Sequence, residues 1–144
     1  MGLLIVYLFL AIAISFLCSI MEAVILSVSM SYIQTRANEG RRPALKLKKM
    51  KNNIDRPLAA ILSINTIAHT VGAAGVGAQA VVVFGEAYFG LISAILTLLI
   101  LIFSEIIPKT IGARYWRQLA LPSAAILEGM IYVSYPLVLI SKWI

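Results

Sequence analysis

Long apolar stretches, separated by short basic ones, set the rhythm of this chain. Apolar residues run almost unbroken over about 3–30, 58–84 and 89–107. Each run is long enough for a helix to cross the roughly 30 Å hydrocarbon layer of a bilayer. A membrane β-barrel would show short alternating segments instead, and the chain has no such pattern. The pattern predicts an all-α membrane protein with three transmembrane helices. Between the first two, over 32–55, Ile33, Ala37, Leu45, Leu47 and Met50 are interleaved with Arg and Lys, and Gly40 and Pro43 interrupt the stretch. This predicts two short amphipathic helices at the inner membrane surface, touching headgroups and linking the spans. Residues 119–144 are apolar but broken by Pro122, Glu128 and Pro136. Their length alone allows a fourth span or a bent re-entrant segment.

Composition agrees with the pattern. Of 144 residues, 61% are hydrophobic and only 12% are charged, more apolar surface than a soluble domain can hide. No soluble catalytic domain is visible, and nothing points to an enzyme. The formal charge of +6 is unevenly placed. No Lys or Arg precedes Arg36, eight lie from Arg36 to Arg56, and Lys109, Arg114, Arg117 and Lys142 supply the rest. Positive residues stay on the cytoplasmic side, so the N-terminus is expected outside the cell. The basic balance then reports topology and contact with anionic lipid, and no nucleic-acid partner is expected. The first run has an uncharged start and continues past Glu22, which favours a retained helix over a signal peptide. The single Cys18 excludes an internal disulfide and a multi-cysteine zinc site.

Polar residues inside the spans are the candidates for chemistry. Ser15, Ser19 and Glu22 fall on one face of the first helix. Such a polar stripe must turn to protein or water, unless its serines simply bond back to their own helix. Asn65 and His69 are four apart on the second helix, followed by Gly72 and a glycine-rich segment that allows close helix contact, including at a subunit interface. The third run ends in Ser104-Glu105-Ile106-Ile107-Pro108-Lys109-Thr110. An acid inside a span is a functional candidate. Pro108 has no N–H, so the carbonyl of Ser104 loses its usual helical donor. A carboxylate and a released backbone oxygen then stand side by side, as a cation site or as a proline kink beside a snorkelling Glu.

Three of these stretches resemble the CorC/cyclin-M (CNNM) transmembrane domain. Cys18-Ser19-Ile20-Met21-Glu22-Ala23 is similar to its Ser-x-x-Glu-x-Ala signature. Leu62-Ser63-Ile64-Asn65-Thr66-Ile67-Ala68-His69 is similar to its second-helix segment, with polar residues four apart. Ser104 to Thr110 resembles its Phe-Gly-Glu-Ile-x-Pro-Lys-Thr motif, the most specific of the three. The resemblance implies a homodimer in the inner (plasma) membrane that transports divalent cations, chiefly Mg²⁺, by Na⁺-coupled export. It also implies a cytosolic pair of nucleotide-binding CBS modules, so this chain looks like an isolated membrane domain or a truncated piece. A following cytosolic module needs the C-terminus inside, which makes 119–144 a re-entrant or inner-leaflet segment.

The resemblance places Ser19, Asn65, His69 and Glu105 around one metal site. The Ser104 carbonyl joins them by the proline argument, and Gly112 is a weaker backbone candidate. Ser15, Glu22 and Ser63 are candidates for holding Na⁺ or backing the ligands. Mg²⁺ wants about six oxygen ligands. His69 stands where the family usually has Asn, and imidazole suits Mn²⁺ or Co²⁺ better, so the ion's identity is open. The rival expectation is a non-transporting, ion-sensing membrane anchor for a cytosolic regulatory domain.

Overall fold

The structure, a computed structural model, describes residues 1–143 apart from the side chains of residues 141 and 142. Among these residues it is helical throughout, with no strand. The first helix, α1, spans Gly2–Ser27. It ends three residues short of the expected boundary because Val28 is extended and Ser29 starts a new helix. The Ser29 hydroxyl accepts the Tyr32 N–H at 3.2 Å, satisfying one of the orphan donors of α2, Met30–Asn38. Gly40 takes φ of 80°, a left-handed turn that suits glycine, and α3 follows over Arg42–Asn52 with Pro43 in its first turn.

Helix α4 covers Asp55–Phe84, with Pro57 in its first turn, where a missing N–H costs least. Gly85, at φ 85°, reverses the chain. A short 3₁₀ turn at Glu86–Tyr88 leads into α5, Phe89–Ile100. A π-helical turn at Leu101–Ile106 then joins α5 to α6, Ile107–Arg114. Pro108 falls in the first turn of α6, so the helix continues where the expected span stopped at 107. Gly2–Ser27, Asp55–Phe84 and Glu86–Arg114 are each long and apolar enough to cross a membrane. The C-terminal stretch folds as α7, Trp116–Val133, and α8, Tyr135–Lys142, with a break at Ser134 before Pro136. Residue 144, the end of the expected segment, lies outside the described residues.

Packing is uneven. The main core joins Cys18, Met21, Val24 and Ile25 of α1 to Ile33, Leu47, Ala60, Ile61, Ala124, Leu127 and Val138. The two short helices between the first two spans therefore turn Ile33 and Leu47 into protein and leave Leu45 exposed. Three contacts hold this end. Lys46 pairs with Glu128 at 2.7 Å, Tyr32 Oη donates to the Arg117 carbonyl at 2.9 Å, and the Tyr32 and Trp116 rings meet edge to face. Lys51 Nζ donates to the Ile25 carbonyl at 2.8 Å, covering part of the open end of α1. Burial pushes its ammonium below the usual lysine range. Towards the other end only a small cluster of Leu4, Val76 and Ala80 is buried, and α5 buries none of its residues.

The glycines of α4 were expected to serve close helix contact, including between subunits. The fold uses two of them within the chain. A Cβ at Gly72 would collide with the Ala11 Cβ, and one at Gly75 would stand 2.7 Å from the Tyr7 ring. Both belong to the α1–α4 contact, in which the backbones approach closely because nothing stands between them. Gly72→Leu is therefore expected to force α1 and α4 apart and cost about 1–3 kcal/mol. Gly77→Ala, whose Cβ would sit 3.6 Å from the Phe89 ring, is expected to change little. Thermal unfolding of the purified protein in detergent checks both.

Candidate cation site

The close α1–α4 contact sets two polar faces against each other. Ser15, on the buried side of α1, lies between Asn65 and His69 of α4. Its hydroxyl donates to Asn65 Oδ1 at 2.7 Å and lies 2.6 Å from His69 Nε2. Asn65 Nδ2 donates in turn to Glu105 Oε1 at 3.2 Å. The carboxylate fixes the orientation of the amide, because only the NH₂ end can donate to it. The tautomer of His69 follows. Ser15 has one proton, already given to Asn65, so His69 Nε2 carries a hydrogen and donates to the Ser15 oxygen. The same nitrogen lies 3.5 Å from Glu105 Oε1.

The third span enters through its π turn. Ser19, fully buried one turn along from Ser15, donates its hydroxyl to the Ser104 carbonyl at 2.6 Å. That is the oxygen that Pro108 deprives of its ordinary donor. The Ser104 side chain bonds back to the Ile100 carbonyl at 2.6 Å. The wider ring of a π turn moves Glu105 around the helix relative to an unbroken α-helix, and π turns often mark functional positions. Glu105 is four-fifths shielded and faces α1 and α4.

Its second oxygen meets a positive charge. Lys109 Nζ stands 3.2 Å from Glu105 Oε2 and 3.1 Å from Glu22 Oε2. One ammonium thus bridges the acids of the first and third spans. In sequence Lys109 stands out as a marker of topology and as part of the Ser104–Thr110 motif, with no role assigned to its charge. The four-residue spacing of Glu105 and Lys109 was a readable signal for their pairing. Glu22 joins them only through the tertiary contact of α1 with α6. Gly112 makes that contact possible, since a Cβ there would lie 2.8 Å from the Ala23 Cβ and 2.9 Å from the Ile20 carbonyl.

The structure therefore brings Ser15, Ser19, Asn65, His69, Ser104 and Glu105 together and places Glu22 at their edge through Lys109. Ser63 lies apart from this network, with its hydroxyl donated to the Ala59 carbonyl of its own helix at 2.7 Å. Gly112 is placed at a helix crossing. A cavity of about 270 Å³, lined by His69, Ala73, Thr97, Ile100, Leu101 and Glu105, opens beside the network. Among the described residues, no three His, Cys, Asp or Glu side chains cluster as a transition-metal site would require. Hydroxyl, amide, carbonyl and carboxylate oxygens dominate, a donor set for a hard cation.

The chain is similar to several known membrane proteins. The chain is 35% identical over 122 residues to a UPF0053 protein of Synechocystis, covering 85% of this chain and 35% of that protein. It is 29% identical over 102 residues to the UPF0053 inner membrane protein YfjD of Escherichia coli, covering 71% of this chain and 24% of that one. A UPF0053 protein of Haemophilus influenzae is 28% identical over 117 residues, covering 81% and 28% respectively. The chain thus spans about a third or less of the length of these curated relatives. The profile of the cyclin M transmembrane N-terminal domain matches residues 5–144, and the chain belongs to that family of membrane domains.

Proposed function

We propose that this domain carries a divalent cation across the membrane, with Mg²⁺ as the ion its donors suit best. The observation that carries this reading is the convergence of polar groups from all three spans on Glu105. Asn65 reaches it from α4, and Ser19 anchors the π turn from α1. Membership of the cyclin M family supports the reading. In it, Glu105 supplies charge, while Ser19, Asn65 and the Ser104 carbonyl supply neutral oxygen. The Ser19 hydroxyl oxygen and the Ser104 carbonyl each keep a lone pair with which to meet the ion. Ser15 and Glu22 are the residues proposed to support a coupling Na⁺. Export driven by Na⁺, a homodimer in the inner membrane with its N-terminus outside, and nucleotide-binding cytosolic modules in the full-length protein complete the proposal.

His69 enters as a hydrogen-bond donor. With a proton on Nε2, that nitrogen has no lone pair for a metal. His69→Asn is therefore expected to keep transport and leave the order of preference among Mg²⁺, Mn²⁺ and Co²⁺ unchanged. A shift towards Mg²⁺ would make the imidazole a direct ligand. The measurement is ion flux into sealed vesicles containing the purified protein, repeated for each ion.

Glu105→Gln tests the reading itself. An amide in place of the carboxylate leaves a dehydrated divalent ion without its compensating charge. Divalent binding by calorimetry and vesicle flux should both be lost in protein that still unfolds cooperatively on heating. Ser19→Ala and Asn65→Ala should weaken both without abolishing them. Ser19→Ala should also cost about 1 kcal/mol of stability, since the Ser104 carbonyl loses its donor. Binding without flux in the wild-type protein would instead favour an ion-sensing anchor.

A further inference from the structure

The bridge formed by Lys109 has a consequence for charge. Glu22 and Glu105 supply two negative charges, and the ammonium between them supplies one positive. Among these three groups one net negative charge remains while Lys109 is in place. A monovalent cation then balances it. When Lys109 swings out, the two carboxylates together balance one divalent cation. A charge of either sign left over in a low-dielectric span is costly, so the balanced states are strongly preferred.

We infer that Lys109 is a tethered counter-cation that competes with the transported ion for Glu22 and Glu105. The inference rests on the function proposed above and names the residue that sets whether the site accepts one charge or two. Geometry supports both positions of the side chain. Lys109 sits on α6, four residues after Glu105, with a flexible four-carbon stem. Its side chain is 44% exposed, against about 20% for each carboxylate, so the ammonium can leave without a buried passage. The cavity beside the network is lined by Glu105 and His69 and not by Lys109, so space next to the acid is open while the ammonium is in place. A permanently bound divalent ion could not be released. A lysine that reclaims the carboxylates supplies a reason for it to go.

The test compares Lys109→Met, which keeps the length and removes the charge, with Lys109→Arg, which keeps the charge. Arg114→Met, on the same helix, controls for a general change in positive charge. Mn²⁺ is the binding probe, followed by electron paramagnetic resonance on protein in nanodiscs, and vesicle flux is measured at saturating ion. Lys109→Met should bind Mn²⁺ about tenfold tighter or more while flux falls, because release slows. Na⁺ should displace Mn²⁺ from wild type more readily than from Lys109→Met. Lys109→Arg should return both towards wild type, and Arg114→Met should change affinity far less. A merely structural lysine would instead weaken binding and flux together, and that result, in protein shown by thermal unfolding to be folded, overturns the inference. Equal tightening in Arg114→Met also overturns it. Should wild type bind no divalent ion, the proposed function falls. Binding gained by Lys109→Met would then still support the lysine as occupant, and no binding in either would remove both.

Discussion

Charge in a low-dielectric layer is the constraint on which the interior of this domain depends. Two acids, Glu22 and Glu105, project from different spans into one place. Neither would be tolerated alone at that depth. Asn65 donates to one oxygen of Glu105, with His69 nearby, and Lys109 meets the other. The same ammonium reaches Glu22 and so fastens α6 to α1. The polar residues are therefore held by one another, and the hydrophobic surroundings make each bond among them matter more than it would in water. Removing any member changes what its neighbours must do with their remaining protons and lone pairs.

The π turn links this network to the backbone. Proline at 108 removes a donor, and an ordinary helix would leave the Ser104 carbonyl short of a partner in the membrane. The chain answers with a local change of helix type and with a hydroxyl from the neighbouring span, Ser19. Glu105 lies within that turn, so the residue carrying charge stands on the part of the third span whose backbone bonds are least regular. Gly112, one further turn along, lets α6 lie against α1 closely enough for Lys109 to reach Glu22. Backbone release, close approach and charge pairing are three aspects of one helix crossing.

Much of this was readable in the sequence. Hydropathy placed three spans because each apolar run is continuous and long, and the juxtamembrane helices followed from Gly40, Pro43 and the Lys/Arg pattern. Helix boundaries were less legible. Ser29 ended the first span early through a cap that a serine-rich stretch does not single out. The third span continued past Pro108 because a π turn absorbed the proline, and no composition signal announces such a turn. Spacing put Ser15 and Ser19 on one face and Asn65 and His69 on another. It could not show that Ser15 would hold both α4 residues, or that Ser63, equally polar, would bond back to its own helix. Gly72 and Gly75 announced a close contact without naming the partner, which is α1. The bridge from Lys109 to Glu22 needed the tertiary fold, because residues so far apart in sequence carry no local mark of pairing.

The three spans are unequally anchored, and this bears on how the network can change. Helix α1 is held along its C-terminal half by the main core and by Lys51 at its end. Helix α4 lies against it through Gly72 and Gly75. Helix α5, by contrast, buries none of its residues within the chain. The third span is thus tied mainly at its C-terminal end, through the π turn, Gly112 and Lys109. Two of those ties, Ser19 to Ser104 and Lys109 to Glu22, are side-chain contacts whose oxygens an arriving cation would also meet. Under the proposed function, exchange of a cation at Glu105 acts on the same bonds that position the third span. Occupancy of the proposed site and the placement of that helix would then be coupled by shared partners, with no longer pathway needed.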